Sequence, residues 1–201
     1  MGRNKAFLGG ILTVLFLISG CATKVERVDV KEQIDLSGSW NDYDASLVSQ
    51  EMIKDSLAKP WFENFVKDKG RNPVVIIGHI ENNTYEHINA GVFIKFLERE
   101  LLNSGKVTFV TSPEEREQIR SERADQQSGN TEEETRTQIG RETGADFMLL
   151  GSMNSVKDEV KGKFVVLYQV NLELIDLTTN RKVWIGQKEI KKFTKKGAFS
   201  W

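Results

Sequence analysis

The stretch Pro73-Val74-Val75-Ile76-Ile77-Gly78 decides how this chain folds. It is a continuous run of apolar, mostly β-branched residues with a turn signal at each end, which is typical of a strand buried on both faces. Phe147-Met148-Leu149-Leu150-Gly151 is a second run of this kind. We therefore expect a sheet covered by other elements, with the first run in a central position.

The C-terminal third shows a different pattern. Between residues 164 and 176 the apolar side chains alternate with Gln169, Asn171 and Glu173, which predicts a strand with one covered face and one solvated face. Thr178-Thr179-Asn180 then turns the chain into a strand over 182–190, and Lys161-Gly162-Lys163 is expected to be the tight turn before residue 164. This third of the chain is predicted to be an antiparallel meander.

Helices are predicted before and between these strands. One carries Leu47, Val48, Met52, Ile53 and Leu57 close to the 3.6 period and stops before Pro60, and a short one follows and ends at Gly70. A polar loop over 79–87 is expected to open a third helix, whose apolar face holds Ile88, Val92 and Phe96 beside Phe93, Leu97 and Leu101.

The middle of the chain is strongly charged. After a predicted strand over 106–110, capping signals at Ser112 and Thr131 predict two solvated helices separated by a mobile loop over 126–130. The expected fold class is α/β (α+β), with a mixed central sheet of about four to five strands flanked by helices.

The N-terminus has the layout of a bacterial lipoprotein signal. Arg3 and Lys5 precede an uncharged run over 6–18, and Ser19-Gly20 precede Cys21, the only cysteine. We predict a signal peptide over 1–20, a lipid on the Cys21 sulfur, a short tether over 21–35, a globular domain over 36–195 and a tail over 196–201. The alternative is an N-terminal membrane helix with an incidental cysteine.

Composition excludes several classes of function. Without residues 1–20 the chain keeps about 26 basic residues against 29 acidic ones, so no global field attracts nucleic acid. His79 and His87 do not form a zinc-binding frame, and no nucleophile elbow or phosphate-binding loop occurs. No cofactor and no metal are expected, and a pair of carboxylates is the one catalytic arrangement left open.

Three segments are candidates for binding a protein partner. Trp40, in the turn-rich segment 37–42, is either buried against the domain or offered to a partner, and burial is favoured. The loop residues Asn82, Asn83 and Tyr85 form the second candidate, and the solvated strand residues Gln169, Asn171 and Glu173 form the third.

Several of these segments together resemble the LpoB family. The resemblance covers nearly all of residues 34–193 and is carried by 34–44, Lys59-Pro60-Trp61, 72–78, Asn82-Asn83, Glu86-His87-Ile88 and 182–192. The strand entered by Gly144-Ala145-Asp146-Phe147 is shared more loosely with TolB N-terminal-like domains. The resemblance implies an outer-membrane lipoprotein, facing the periplasm, that activates a class A penicillin-binding protein and is not itself an enzyme.

The tether departs from the best-known LpoB proteins, which have a long disordered, proline-rich tail. Here it is only ~15 residues long, so it reaches ~50 Å when fully stretched. Two other functions therefore stay open: a structural or assembly lipoprotein of the TolB-like or curli-secretion-like kind, and a glycan-acting periplasmic enzyme.

Overall fold

A computed structural model describes residues 26–29 and 32–195. The chain divides into two compact units, Met1–Glu32 and Gln33–Trp201. In the described part of the first unit, the backbone N–H of Glu32 donates to the carbonyl oxygen of Asp29 at 3.0 Å. The predicted signal peptide, Cys21 and the tail over 196–201 lie outside the described residues.

The described residues of the second unit, 33–195, form four α-helices and a five-stranded sheet. The helices are α1 (Asp42–Leu57), α2 (Pro60–Lys69), α3 (Ala90–Asn103) and α4 (Pro113–Asp125). The strands are β1 (Val74–Asn83), β2 (Thr108–Phe109), β3 (Phe147–Val160), β4 (Lys163–Asp176) and β5 (Lys182–Lys195), in the order β2-β1-β3-β4-β5. β1 runs parallel to β2 and β3, whereas β3, β4 and β5 form an antiparallel meander. The predicted α/β class with a mixed sheet is confirmed.

The hydrophobic core lies on one face of the sheet, which we call the covered face. Val48 of α1, Leu97 of α3 and Val170 of β4 are all fully buried there in one cluster. On β4 the predicted alternation is confirmed, since Val166, Tyr168, Val170, Leu172 and Leu174 are buried on the covered face. The residues between them lie on the opposite face, which we call the open face.

The decisive stretch has the position that its composition predicts. Val74, Val75, Ile76 and Ile77 are buried, and β1 has a neighbouring strand on each side. The strand is longer than expected, however. A register shift between Ile77 and Ile80 lets it stay paired with β3 as far as Asn83. The prediction of a loop over 79–83 is therefore wrong, because backbone pairing continues although the side chains become polar.

Three further predictions are corrected. The strand over 106–110 is reduced to Thr108–Phe109. The second solvated helix is absent from its described residues 131–144, where only a 3₁₀ turn at Glu133–Thr135 forms. Its capping signals are present, but Ile139 is exposed and gives the segment no apolar face to pack. The loop over 126–130 is instead a π-helical turn at the end of α4.

The third helix is also corrected. It begins at Ala90, after Ile88, and buries Phe93, Leu97 and Leu101. Val92, which was expected on the buried face, is 50% exposed. The predicted apolar face of this helix was therefore too wide, because Val92 at its edge is exposed to solvent.

Candidate functional site

Glu86 joins two of the candidate segments. One carboxylate oxygen accepts a hydrogen bond from the backbone N–H of Trp40 at 3.1 Å, and the other accepts one from the Tyr168 hydroxyl at 2.5 Å. The same hydroxyl lies 3.1 Å from the carbonyl oxygen of Gly38. Glu86, in the loop after β1, and Tyr168 of β4 therefore hold the 37–42 segment in place.

The ring of Trp40 packs into this junction. It meets the rings of Phe93 at 6.1 Å and Tyr168 at 5.7 Å between centroids, both edge-on. Edge-to-face aromatic pairs of this geometry stabilise a fold beyond their buried area. Trp40 is half-buried and packs against the hydrophobic core, and the rest of its surface is accessible.

Asn82 shapes the loop from within. Its amide nitrogen donates to the carbonyl oxygens of Glu86 at 2.9 Å and Ile88 at 3.3 Å. Its amide oxygen accepts from the backbone N–H and the hydroxyl of Thr84 at 3.1 and 2.7 Å. Both ends of the amide are occupied by the loop itself, as in other side-chain-stabilised turns.

Asn83 and Tyr85 lie at the exposed side of the same loop. Asn83 donates to the carboxylate of Glu81 at 3.5 Å, and the backbone N–H of Tyr85 donates to the Ser155 hydroxyl at 3.3 Å. The side chain of Tyr85 is 54% exposed. These two residues are available to a partner, whereas Asn82 is used by the fold.

Two tyrosine hydroxyls here are kept protonated. Burial raises the pKa of Tyr168 far above its ordinary value, and its hydrogen bonds with Glu86 and Tyr85 add to the effect. Burial also raises the pKa of Tyr85. A protonated hydroxyl is a hydrogen-bond donor, which is the role that Tyr168 has toward Glu86.

A groove opens beside this junction. It has a volume of about 490 Å³ and lies between the 39–42 segment and the start of α3. Trp40, Ile88 and Phe93 form its apolar walls, Glu86 and His87 supply polar groups, and the exposed Val92 lies at its edge. A concave surface with apolar walls and few polar groups is suited to binding.

The third candidate segment lies elsewhere. Gln169, Asn171 and Glu173 are half-exposed on the open face of β4, opposite to Tyr168. Gln169 donates to Glu189 at 3.2 Å, Asn171 donates to Gln169 at 3.4 Å, and Glu173 pairs with Lys182 at 2.7 Å. The structure thus brings Trp40, Asn82, Asn83 and Tyr85 together and leaves these three residues on a separate surface.

Within 26–29 and 32–195, no group of three or more His, Asp or Glu side chains is placed to hold a metal. No helix of those residues is long and apolar enough to cross a membrane.

Sequence reasoning missed the residues that organise this site. Glu86 is one acid among 29 in the chain, and its role as a shared acceptor depends on Trp40 and Tyr168, which are remote in sequence. Val92 was assigned to the core because it fits the helical period. Only the exposure of the Val92 side chain in the structure identifies this residue as an edge of the groove.

Comparison with known proteins identifies one family. The family model for the peptidoglycan-synthase activator LpoB matches residues 44–190. A search of curated protein sequences gave no significant match.

Solved structures similar to this one share little sequence with it. The C-terminal domain of LpoB from Escherichia coli is 18% identical, with a TM-score of 0.45, over 74% of this chain and 98% of that one. The NMR structure of E. coli LpoB is 17% identical, with a TM-score of 0.43, over 96% and 90%. Lipoprotein GNA1162 from Neisseria meningitidis is 10% identical, with a TM-score of 0.38, over 63% and 88%.

Proposed function

The chain belongs to the LpoB family of peptidoglycan-synthase activators, as its resemblance predicted, and we propose that it activates a class A penicillin-binding protein without itself being an enzyme. The observation that carries this proposal is the extent of the family match. Residues 44–190 include nearly all of α1, the whole of α2, α3 and α4, and all of β1 to β4. The matched segment therefore covers most of the packed domain and ends within β5.

The same proposal includes the location of the protein. The predicted lipid on Cys21 anchors it in the outer membrane, and the domain faces the periplasm. The basis is the sequence pattern around Leu17-Ile18-Ser19-Gly20-Cys21 together with the family. With two or three acyl chains on one residue, such anchoring is effectively permanent.

The docking surface in this proposal is the groove beside Trp40, with the exposed Val92 at its edge. Protein interfaces are commonly built around aromatic anchors in a concave apolar centre with a polar rim, and this groove has those parts. The partner surface is a non-catalytic module of the synthase. Docking shifts the enzyme toward its active conformation, a coupling typically worth about 1–3 kcal/mol.

The test is polymerisation of lipid II by the class A synthase of the same organism. The added protein is the chain from residue 21 with Cys21→Ser, which lacks the lipid. We expect saturable binding and faster glycan polymerisation and crosslinking. Absence of both would overturn the proposal, and release of soluble fragments from sacculi without any synthase would identify an enzyme instead.

A further inference from the structure

The far end of the open face has an unusual polarity. In the middle of β4 the apolar residues point to the covered face and Gln169, Asn171 and Glu173 to the open face, but beyond Ser155 and Tyr168 the open face becomes apolar as well. There the covered face keeps the buried Val166 and the half-buried Phe164 on β4, between charged or polar residues of β3 and β5, and the open face also carries apolar side chains. The end of the sheet therefore has apolar side chains on both faces, including the face that has no helix packed on β4.

Three successive cross-strand rows form this surface, which we call the tip patch. Directly opposed residues on one face of a sheet have neighbouring side chains. The rows are Val156–Leu167–Lys191, Asp158–Val165–Phe193 and Val160–Lys163–Lys195, each running across β3, β4 and β5. Five of the nine positions are apolar, and three of the other four are lysines.

Three of the five apolar residues of the tip patch are open to solvent, and Val165 and Leu167 between them are half-buried. Val156, Val160 and Phe193 are 67%, 65% and 66% exposed. Ile185 on the same face of β5 is 63% exposed as well, but it lies opposite Glu173, eight residues from Phe193. Single exposed apolar residues such as Ile185 are ordinary, whereas a contiguous exposed group indicates an interaction surface.

The charge of the tip patch is positive. Lys163, Lys191 and Lys195 are exposed within it, against the single acid Asp158. The turn that joins β3 to β4 adds Lys161, and both Lys161 and Gly162 have positive φ there, at 45° and 73°. The lysines therefore surround the apolar centre on the β5 side and at the tip. Aliphatic and aromatic groups among lysines are suited to the interface of an anionic membrane.

The N-terminal part of the domain meets the same end of the sheet. Lys192, between Lys191 and Phe193, donates to Asp35 at 2.8 Å and to the carbonyl oxygen of Ser39 at 2.9 Å. Gly38 lies against this end too, since a Cβ there would be 2.6 Å from the Thr194 hydroxyl. Between Cys21 and Asp35 the chain spans at most ~50 Å. A lipid on Cys21 therefore keeps the tip patch within that distance of the bilayer.

We propose that the tip patch binds the surface of an anionic phospholipid bilayer, with Phe193 and the valines entering the headgroup region and the lysines contacting lipid phosphates. This contact orients the domain on the membrane that holds its anchor. It concerns a surface distinct from the groove and does not depend on the identity of the synthase.

The test is sedimentation of the isolated unit from residue 33 to 201 with lipid vesicles. This unit contains every residue of the hydrophobic core, so it keeps its fold without the anchor. We expect binding to vesicles of phosphatidylethanolamine with phosphatidylglycerol, weakened by salt, and little binding to phosphatidylcholine alone. Phe193→Ser should lower the affinity by about tenfold or more. Lys191→Glu combined with Lys195→Glu should also lower it by about tenfold or more.

Ile185→Ser is the matched control, because it removes an equally exposed apolar side chain from the same face of the same strand. It should leave vesicle binding unchanged. Absence of binding to the anionic vesicles, or an equal loss in Phe193→Ser and Ile185→Ser, would overturn the proposal. So would loss of synthase activation in Phe193→Ser without any vesicle binding, which would assign the patch to the protein partner.

Discussion

The two faces of β4 use the same alternating pattern for different purposes. On the covered face, the Tyr168 hydroxyl is bonded to Glu86 and its ring packs against Trp40. On the open face, Gln169 and Asn171 remain half-exposed and bond only to polar neighbours on the same face. The comparison teaches that a polar or aromatic residue near a surface is a poor guide to function until its partners are known.

Trp40 and Asn82 illustrate the point. Both were candidates for binding a partner, and both have contacts within the domain that account for much of their chemistry. Tyr85 and Val92 are the residues beside them that leave their side chains exposed. Substitutions on the two faces should therefore separate stability from activation.

The largest effect is expected from Trp40→Ala. The ring packs between Phe93 and Tyr168, so its removal should lower the free energy of unfolding by about 2–4 kcal/mol. Ile185→Ala removes an exposed apolar side chain from the open face and should change the free energy of unfolding by less than about 0.5 kcal/mol. Urea denaturation followed by circular dichroism measures both, and similar values for the two variants would break the distinction between the faces.

A smaller effect is expected from Glu86→Ala. It leaves the buried Tyr168 hydroxyl and the Trp40 N–H without their carboxylate acceptor, which should cost about 1–3 kcal/mol. Glu173→Ala is the matched acid on the open face. It loses a partly exposed ion pair with Lys182, which is worth at most about 1 kcal/mol. The same denaturation experiment applies, and a larger loss for Glu173→Ala would contradict the structural role given to Glu86.

The smallest change in stability is expected from Val92→Glu, which should nevertheless reduce activation of the synthase. The side chain is half-exposed in the first turn of α3, where an acid suits the helix dipole, so stability should change by less than about 0.5 kcal/mol. Activation of the synthase should nevertheless fall, because a charge enters the edge of the groove. Gln169→Ala on the open face should leave activation unchanged. Loss of activation in Gln169→Ala but not in Val92→Glu would indicate that the synthase docks on the surface of Gln169, Asn171 and Glu173 instead.

Much of the fold was predictable because it depends on local signals. The apolar run at 74–77, the capping residues, Pro60 and Gly70 act on their immediate neighbours, and the elements they predict are present. The failures occurred where local signals had no tertiary support. The segment after Thr131 has a capping sequence but no apolar face to pack, and β1 continues through polar residues because β3 is beside it.

The candidate site was predictable only in part. The sequence selected Trp40 and the 82–85 loop separately, and nothing in it predicts the 3.1 Å hydrogen bond from the backbone N–H of Trp40 to Glu86, the residue after that loop. The tip patch was likewise not evident, because Val156, Val165 and Phe193 lie on three different strands.

By itself, the sequence determined the class of fold, the meander, the family resemblance and the predicted anchor at Cys21. Each of these depends on residues that are neighbours along the chain or repeat at a fixed period. Only the tertiary structure decided which polar groups are consumed by the fold and which exposed residues form one surface. That decision requires the register of β3, β4 and β5, which sets residues of three strands side by side, and the packing of α1 and α3 on one face. It also requires contacts between distant residues, such as Tyr168 with Gly38, 130 positions apart.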